Sequence, residues 1–189
     1  MQQGQGPDRQ ASGQGDAFER LISIVHALAL ILTPFSRRDF GSRSFRSAGL
    51  AVLYVIGFAS VSASSPVFSF LWLWLLAVAT QRLRTSQHAR KGIVVHSGYD
   101  GFPWFGWKLC RGRSEESAYK AEAGFWLLAS ILALLIDPPF GLFLLIAAVG
   151  LLAFESYKRE LDKKMLADMR DARIEQNHRA AQFRDAGPF

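Results

Sequence analysis

The chain has 189 residues, 50% of them apolar, with 22 Lys and Arg against 16 Asp and Glu, one cysteine and a net charge of +6. The apolar residues gather in long blocks instead of recurring at the period of a soluble helix or strand, which excludes an ordinary water-soluble core within the one domain this length allows. The lone Cys110 excludes an internal disulfide, and no RNP, helix-turn-helix or zinc-finger pattern accompanies the positive charge, so no specific nucleic-acid partner is expected.

Met1 to Gly15 is built of Gln, Gly, Ser and Pro with almost nothing to bury, and is expected to be a disordered tail, because ordering it costs backbone entropy without apolar return. Asp16 is placed to cap a helix carrying Leu21, Ile24, Leu28, Ile31 and Leu32, which Pro34 should stop. Its uncharged part, Leu21 to Phe35, is fifteen residues long, short of a comfortable membrane span, and has basic residues at both ends. We therefore read residues 16–46 as a helix in the cytoplasmic interface, or packed against the membrane helices, with a fifth membrane span as the alternative, followed by a basic collar, Arg37 to Arg46. Phe40 and Phe45 are expected to dip from that collar into the headgroups.

Ser47 to Gln81 runs for thirty-five residues without Lys, Arg, Asp or Glu and is broken at its centre by Ser62-Ala63-Ser64-Ser65-Pro66. A bilayer core of about 30 Å needs about 20 helical residues, so this block predicts two short membrane helices folded into a hairpin. Ala59 and Ala63, four apart, form a small pair suited to close helix packing. Trp72 and Trp74 fall near mid-span, where packing and lipid contact outweigh stacking on a bound pigment or quinone, since an i, i+2 spacing turns the two rings to different faces.

Residues 82–121 form the one stretch with room for a soluble feature. Ile93-Val94-Val95 is strand-like, and Tyr99, Phe102, Trp104, Phe105 and Trp107 place five aromatics within nine residues among Gly98, Gly101, Pro103 and Gly106. Those five residues are the candidate partner-binding surface, with an aromatic anchor at the membrane interface as the alternative. Ser114-Glu115-Glu116 reads as a helix start.

Residues 122–154 repeat the hairpin plan. Ala123 to Phe154 carries one charge, Asp137, directly before Pro138-Pro139 at the midpoint, where a turn is expected. Ala129 and Ala133 repeat the small pair, and Gly141, Ala147, Ala148 and Gly150 offer further close-approach positions. Residues 155–189 are rich in helix formers and mixed charge, predicting a cytoplasmic helix with an intermittent apolar stripe at Leu161, Met165, Met169 and Ala172.

Lys and Arg number six before the first apolar block, eight from Arg82 to Lys120 and eight after Phe154, and neither midpoint turn carries one. That partition predicts an all-α, multi-pass integral membrane protein of four spans in two hairpins, with both termini and the middle loop cytoplasmic. His26, His88, His96 and His178 are scattered without a HExxH or CxxC-type grouping, and His96, Ser97 and Asp100 have hydrolytic residue types without triad spacing, so no catalytic, metal or cofactor-binding residue is assigned. The expected function is a non-enzymatic membrane subunit that positions partners in a larger complex, with membrane lipids and other membrane subunits as partners in a homo- or hetero-oligomer. A membrane-shaping hairpin protein and an oligomeric channel or carrier subunit are the alternatives.

Overall fold

The computed structural model describes residues 8–41, 44–45, 47–62, 65–92, 99–111 and 114–185. Among them lie six helices: α1 (Asp8–Ser36), α2 (Ala48–Ser62), α3 (Ser65–Arg90), α4 (Trp104–Leu109), α5 (Glu115–Ile136) and α6 (Pro138–Asp185). The strand-like Ile93–Val95 lies outside the described residues, as do Ala63 and Ser64 of the first expected turn. Four segments are long and apolar enough to cross a membrane, namely Ala17–Ser36, Pro66–Arg90, Glu115–Ile136 and Pro138–Gln182, and α2 contributes a shorter apolar stretch, Ala48–Val61. The chain is thus a multi-pass membrane protein by the length and composition of its helices.

Local chemistry explains the helix ends. Ser114 caps α5, its hydroxyl accepting the Ser117 N–H at 3.1 Å, and Glu115 and Glu116 occupy the first turn, where the helix dipole favours carboxylates. Asp137 is both the C-cap of α5 and the cap of α6: its N–H donates to Ala133 O at 2.8 Å, and its Oδ1 accepts the Phe140 N–H at 2.9 Å. Pro138 and Pro139 then fill first-turn positions where a missing N–H costs nothing.

α1 departs from the sequence reading at both ends. It begins at Asp8, ahead of Asp16, because adding residues to an existing helix is cheap compared with starting one. It also runs through Pro34 to Ser36. Proline lacks the N–H that would bond the Leu30 carbonyl one turn back, and the indole Nε1 of Trp74 on α3 donates to that carbonyl instead, at 2.9 Å.

Two compact units divide the chain, Met1–Phe154 and Glu155–Phe189. In the first, the C-terminal half of α1 supplies the core: Ala27, Ala29, Leu30, Ile31 and Leu32 are buried with Val55 of α2, Phe70 and Trp74 of α3, and Phe143, Ala147, Ala148 and Leu151 of α6. Phe143 joins three helices, its ring centroid lying 5.4 Å from Tyr54, 5.3 Å from Phe58 and 5.3 Å from Phe70. Outward, Leu53, Trp72, Leu76, Leu128, Leu132 and Leu135 are exposed, as helices surrounded by hydrocarbon require. The second unit is the rest of α6, solvent-exposed from Glu160 to Ala180 and laced by pairs such as Lys163 with Glu160 at 2.8 Å.

Candidate functional site

The densest polar chemistry gathers where α1 ends. Arg37 and Glu122 are both 0% exposed. The Arg37 Nε lies 3.0 Å from each carboxylate oxygen and its Nη2 3.0 Å from Oε2, while Ser36 Oγ donates to Oε1. The guanidinium carbon also sits 4.8 Å from the centre of the Tyr119 ring. A carboxylate held by this many donors is a clamp: removing either partner would strand a charge in a dry interior, so the pair ties the end of α1 to α5.

A second set of bonds ties α1 to α3. The last turn of a helix leaves carbonyls without partners, and Gln81 Nε2 donates to Pro34 O at 3.2 Å and Arg37 O at 2.9 Å. Thr85 Oγ1 reaches the Phe40 carbonyl at 3.2 Å. Trp74, Gln81 and Thr85 share one face of α3 and all serve carbonyls of α1 or the segment after it.

The chain after α1 then pairs with the aromatic segment. Arg38 and Phe102 form an antiparallel bridge with N–H to O distances of 3.0 and 2.6 Å, and the Gly41 N–H donates to Tyr99 O at 2.7 Å. Gly101 makes the bridge feasible: at φ +84°, a Cβ there would lie 3.0 Å from both Arg37 Cβ and the Arg38 carbonyl. Gly106 lets α4 lie against α5, since a Cβ would come within 2.0 Å of Ala118 O. Farther back on α1, His26 Nδ1 is 3.0 Å from Ser47 Oγ and its Nε2 3.7 Å from Asp100, while its ring stacks on Phe154 at 4.6 Å.

Three residues of the expected basic collar are corrected, while Arg43 and Arg46 lie outside the described residues. Arg37 is sealed inside, and Phe40 and Phe45 are buried and packed together at 5.0 Å instead of dipping into headgroups, because Thr85 and Arg82 of α3 hold this stretch against the protein. Arg82 covers the Phe45 ring at 5.2 Å.

The candidate partner-binding residues Tyr99, Phe102, Trp104, Phe105 and Trp107 are brought together, each half-buried against its own chain. Phe102 meets Trp107 at 5.5 Å and Phe105 meets Phe125 of α5 at 4.6 Å, while Trp104 carries the Arg38 guanidinium at 4.1 Å and the Lys108 ammonium at 4.8 Å. Burial pushes the Tyr99 phenol above its ordinary pKa, and the charge of Glu115 adds to the rise. Of the small pairs, Ala59, Ala129 and Ala133 are half-buried, Ala133 packing against the core, and Ala63 lies outside the described residues. Close helix approaches also fall on α6, where a Cβ at Gly141 would come within 2.2 Å of Leu134 backbone atoms and one at Gly150 within 2.4 Å of Leu28 Cβ. His96 and Ser97 are outside the described residues.

Sequence reasoning missed the Arg37–Glu122 clamp and the Trp74 bond to Leu30. Two signals were available: a lone glutamate opening an apolar run, and a proline inside a helix, which must leave one carbonyl in need of a donor.

No family model, curated protein or solved structure matches this chain.

Proposed function

We propose that this protein is a non-enzymatic membrane subunit that holds a partner through the helix it extends beyond the membrane. The observation that carries the reading is the stripe of Leu161, Met165 and Met169 on α6, all three exposed on a helix rich in charge, with Leu166 and Ile174 exposed beside them. Residues four apart share a helix face, and apolar side chains left in water on one face of a long helix fit the helix-in-groove mode of recognition. Methionine suits such a surface because its flexible thioether adapts to its partner.

The topology belongs to the same proposal. α2 with α3 and α5 with α6 form two membrane hairpins, and α1 lies across one end of them without crossing. This reading is supported by the contacts of α1: between His26 and Arg37 it meets Ser47, Gln81, Glu122 and Phe154, the four residues at which the two apolar blocks begin and end. With Lys and Arg excluded from both turns, that end is assigned to the cytoplasm.

Extraction in mild detergent followed by native mass measurement tests the function. The expected species is a stoichiometric complex with a second protein, which Leu161→Asp/Met165→Asp dissociates while the membrane unit keeps its thermal stability. A homo-oligomer alone would favour membrane shaping instead, a reading supported by the shortness of α2, whose 15 residues reach only about 22 Å.

A further inference from the structure

A groove of about 540 Å³ opens beside the end of α1, between that end, one face of α3 and α4. Its α3 wall is built from Leu73, Leu76, Ala77, Thr80, Gln81 and Arg84, spaced three and four apart and so forming a single strip along the helix. The strip changes character along its length: leucines at one end, Thr80 and Gln81 in the middle, Arg84 at the other end. The eleven steps from Leu73 to Arg84, at about 1.5 Å each, make this gradient about 16 Å long, the distance from a phospholipid headgroup well into its acyl chains.

The polar end has a defined charge. Arg38 and Arg84 both line the groove, and Trp104, the first residue of α4, carries the Arg38 guanidinium by stacking at 4.1 Å. No carboxylate lines the groove, and among the described residues neither arginine has a carboxylate partner. The adjacent Asp39 sits instead by His88, 3.7 Å away. Gln81, at the middle of the strip, is buried and its amide nitrogen is committed to carbonyls at the end of α1, so the charge that the groove offers a ligand comes from the two arginines.

From this gradient and this charge we infer that the groove is a binding site for an anionic phospholipid. Its phosphate is held by Arg38 and Arg84, and an acyl chain lies along Leu76 and Leu73. Both leucines are exposed, as a lipid-facing wall must be in the isolated chain. The assignment rests on the membrane character of α3 and is independent of the partner proposed for α6. A site formed at the junction of α1, α3 and α4 also gives the lipid a mechanical role, since an occupied groove fastens the end of α1 to the helix that carries it.

The test is lipid titration of the full chain in detergent, followed by native mass spectrometry, with phosphatidylglycerol and phosphatidylcholine as probes. The full chain should retain one phosphatidylglycerol in preference to phosphatidylcholine. Arg38→Gln/Arg84→Gln should weaken that binding by about 10- to 30-fold, the loss expected for two basic groups at an anionic surface, and leave phosphatidylcholine binding unchanged. Ala77→Trp, which fills the apolar end and leaves both arginines in place, should also lower phosphatidylglycerol retention. Lys163→Gln/Arg170→Gln removes the same charge from the exposed part of α6 and should change nothing. Equal losses from that control pair would show bulk attraction in place of a site. Full retention by Arg38→Gln/Arg84→Gln, or displacement of the lipid by glycerol phosphate at matching concentration, would overturn the inference.

Discussion

α1 and α5 are equally apolar by mean hydropathy over windows of the same length, yet 39% of the α1 window is buried inside the protein and only 17% of the α5 window. Hydropathy reports how strongly a helix avoids water, and it is silent on whether protein or lipid replaces the water. What separates the two is polar chemistry at defined positions. α1 leaves the Leu30 and Pro34 carbonyls open and presents the Ser36 hydroxyl, with the Arg37 charge directly after it, all needing partners that lipid cannot supply, and the partners are Trp74, Gln81 and Glu122. The apolar length of α5, from Leu127 to Ile136, makes no such demand and leaves Leu128, Leu132 and Leu135 exposed to hydrocarbon.

The largest effect should come from cutting the link between the two helices. Glu122→Ala leaves Arg37 charged and buried without its carboxylate, and should lower stability by about 3–5 kcal/mol. Replacing both partners with apolar residues, Arg37→Met/Glu122→Leu, should cost less than that single change, because no charge is then stranded. Thermal unfolding in detergent reads both, and a loss below about 1 kcal/mol for Glu122→Ala would mean that water reaches the pair.

A pair of glycines sharpens the contrast at smaller scale. Gly150 backs onto Leu28 of α1, and a Cβ there has no room, whereas nothing lies within 4 Å of a Cβ at Gly124 on α5. Gly150→Ala should therefore destabilise by about 1–3 kcal/mol. Gly124→Ala should be neutral or stabilise by up to about 1 kcal/mol through helix propensity alone. Equal responses at the two positions would erase the distinction between a protein-facing and a lipid-facing helix.

The two tryptophans of α3 make the finest comparison. Trp74, 1% exposed, fills the bond that Pro34 leaves open, while Trp72, 62% exposed, faces outward. Trp74→Phe should cost about 1–2 kcal/mol and Trp72→Phe close to nothing. In a Pro34→Ala background the helix can bond Leu30 O itself, so Trp74→Phe should lose most of its effect. An unchanged cost in that background would show that packing of the indole, and not its N–H, is what matters.

Much of this architecture was legible in the chain because it is local. The apolar blocks, the Ser114 cap and the Asp137-Pro138-Pro139 junction each depend on a few neighbouring residues, and α6 runs on from its apolar part into the charged segment as helix composition predicts. What was not legible depends on residues far apart. Arg37 and Glu122 are 85 positions apart, and as isolated letters they read as a collar residue and the edge of a span. The reversal of Phe40 and Phe45 from headgroup anchors to core residues follows from the fold-back that the Gly101 turn and the Arg38–Phe102 bridge impose. The aromatic segment was recognisable as one cluster, but which of its rings pack inward is decided by α5, through Phe125.

The proposed topology has α1, although long enough to span, held by α3 and α5 across one end of two proposed hairpins. Single cysteines at Ala17, Gln87 and Pro139, introduced into a Cys110→Ser chain and reacted with a membrane-impermeant maleimide in oriented vesicles, test it directly. Ala17→Cys and Gln87→Cys should label from one face of the membrane and Pro139→Cys from the opposite face. Labelling of Ala17→Cys from the same face as Pro139→Cys would show that α1 crosses, and would contradict the account.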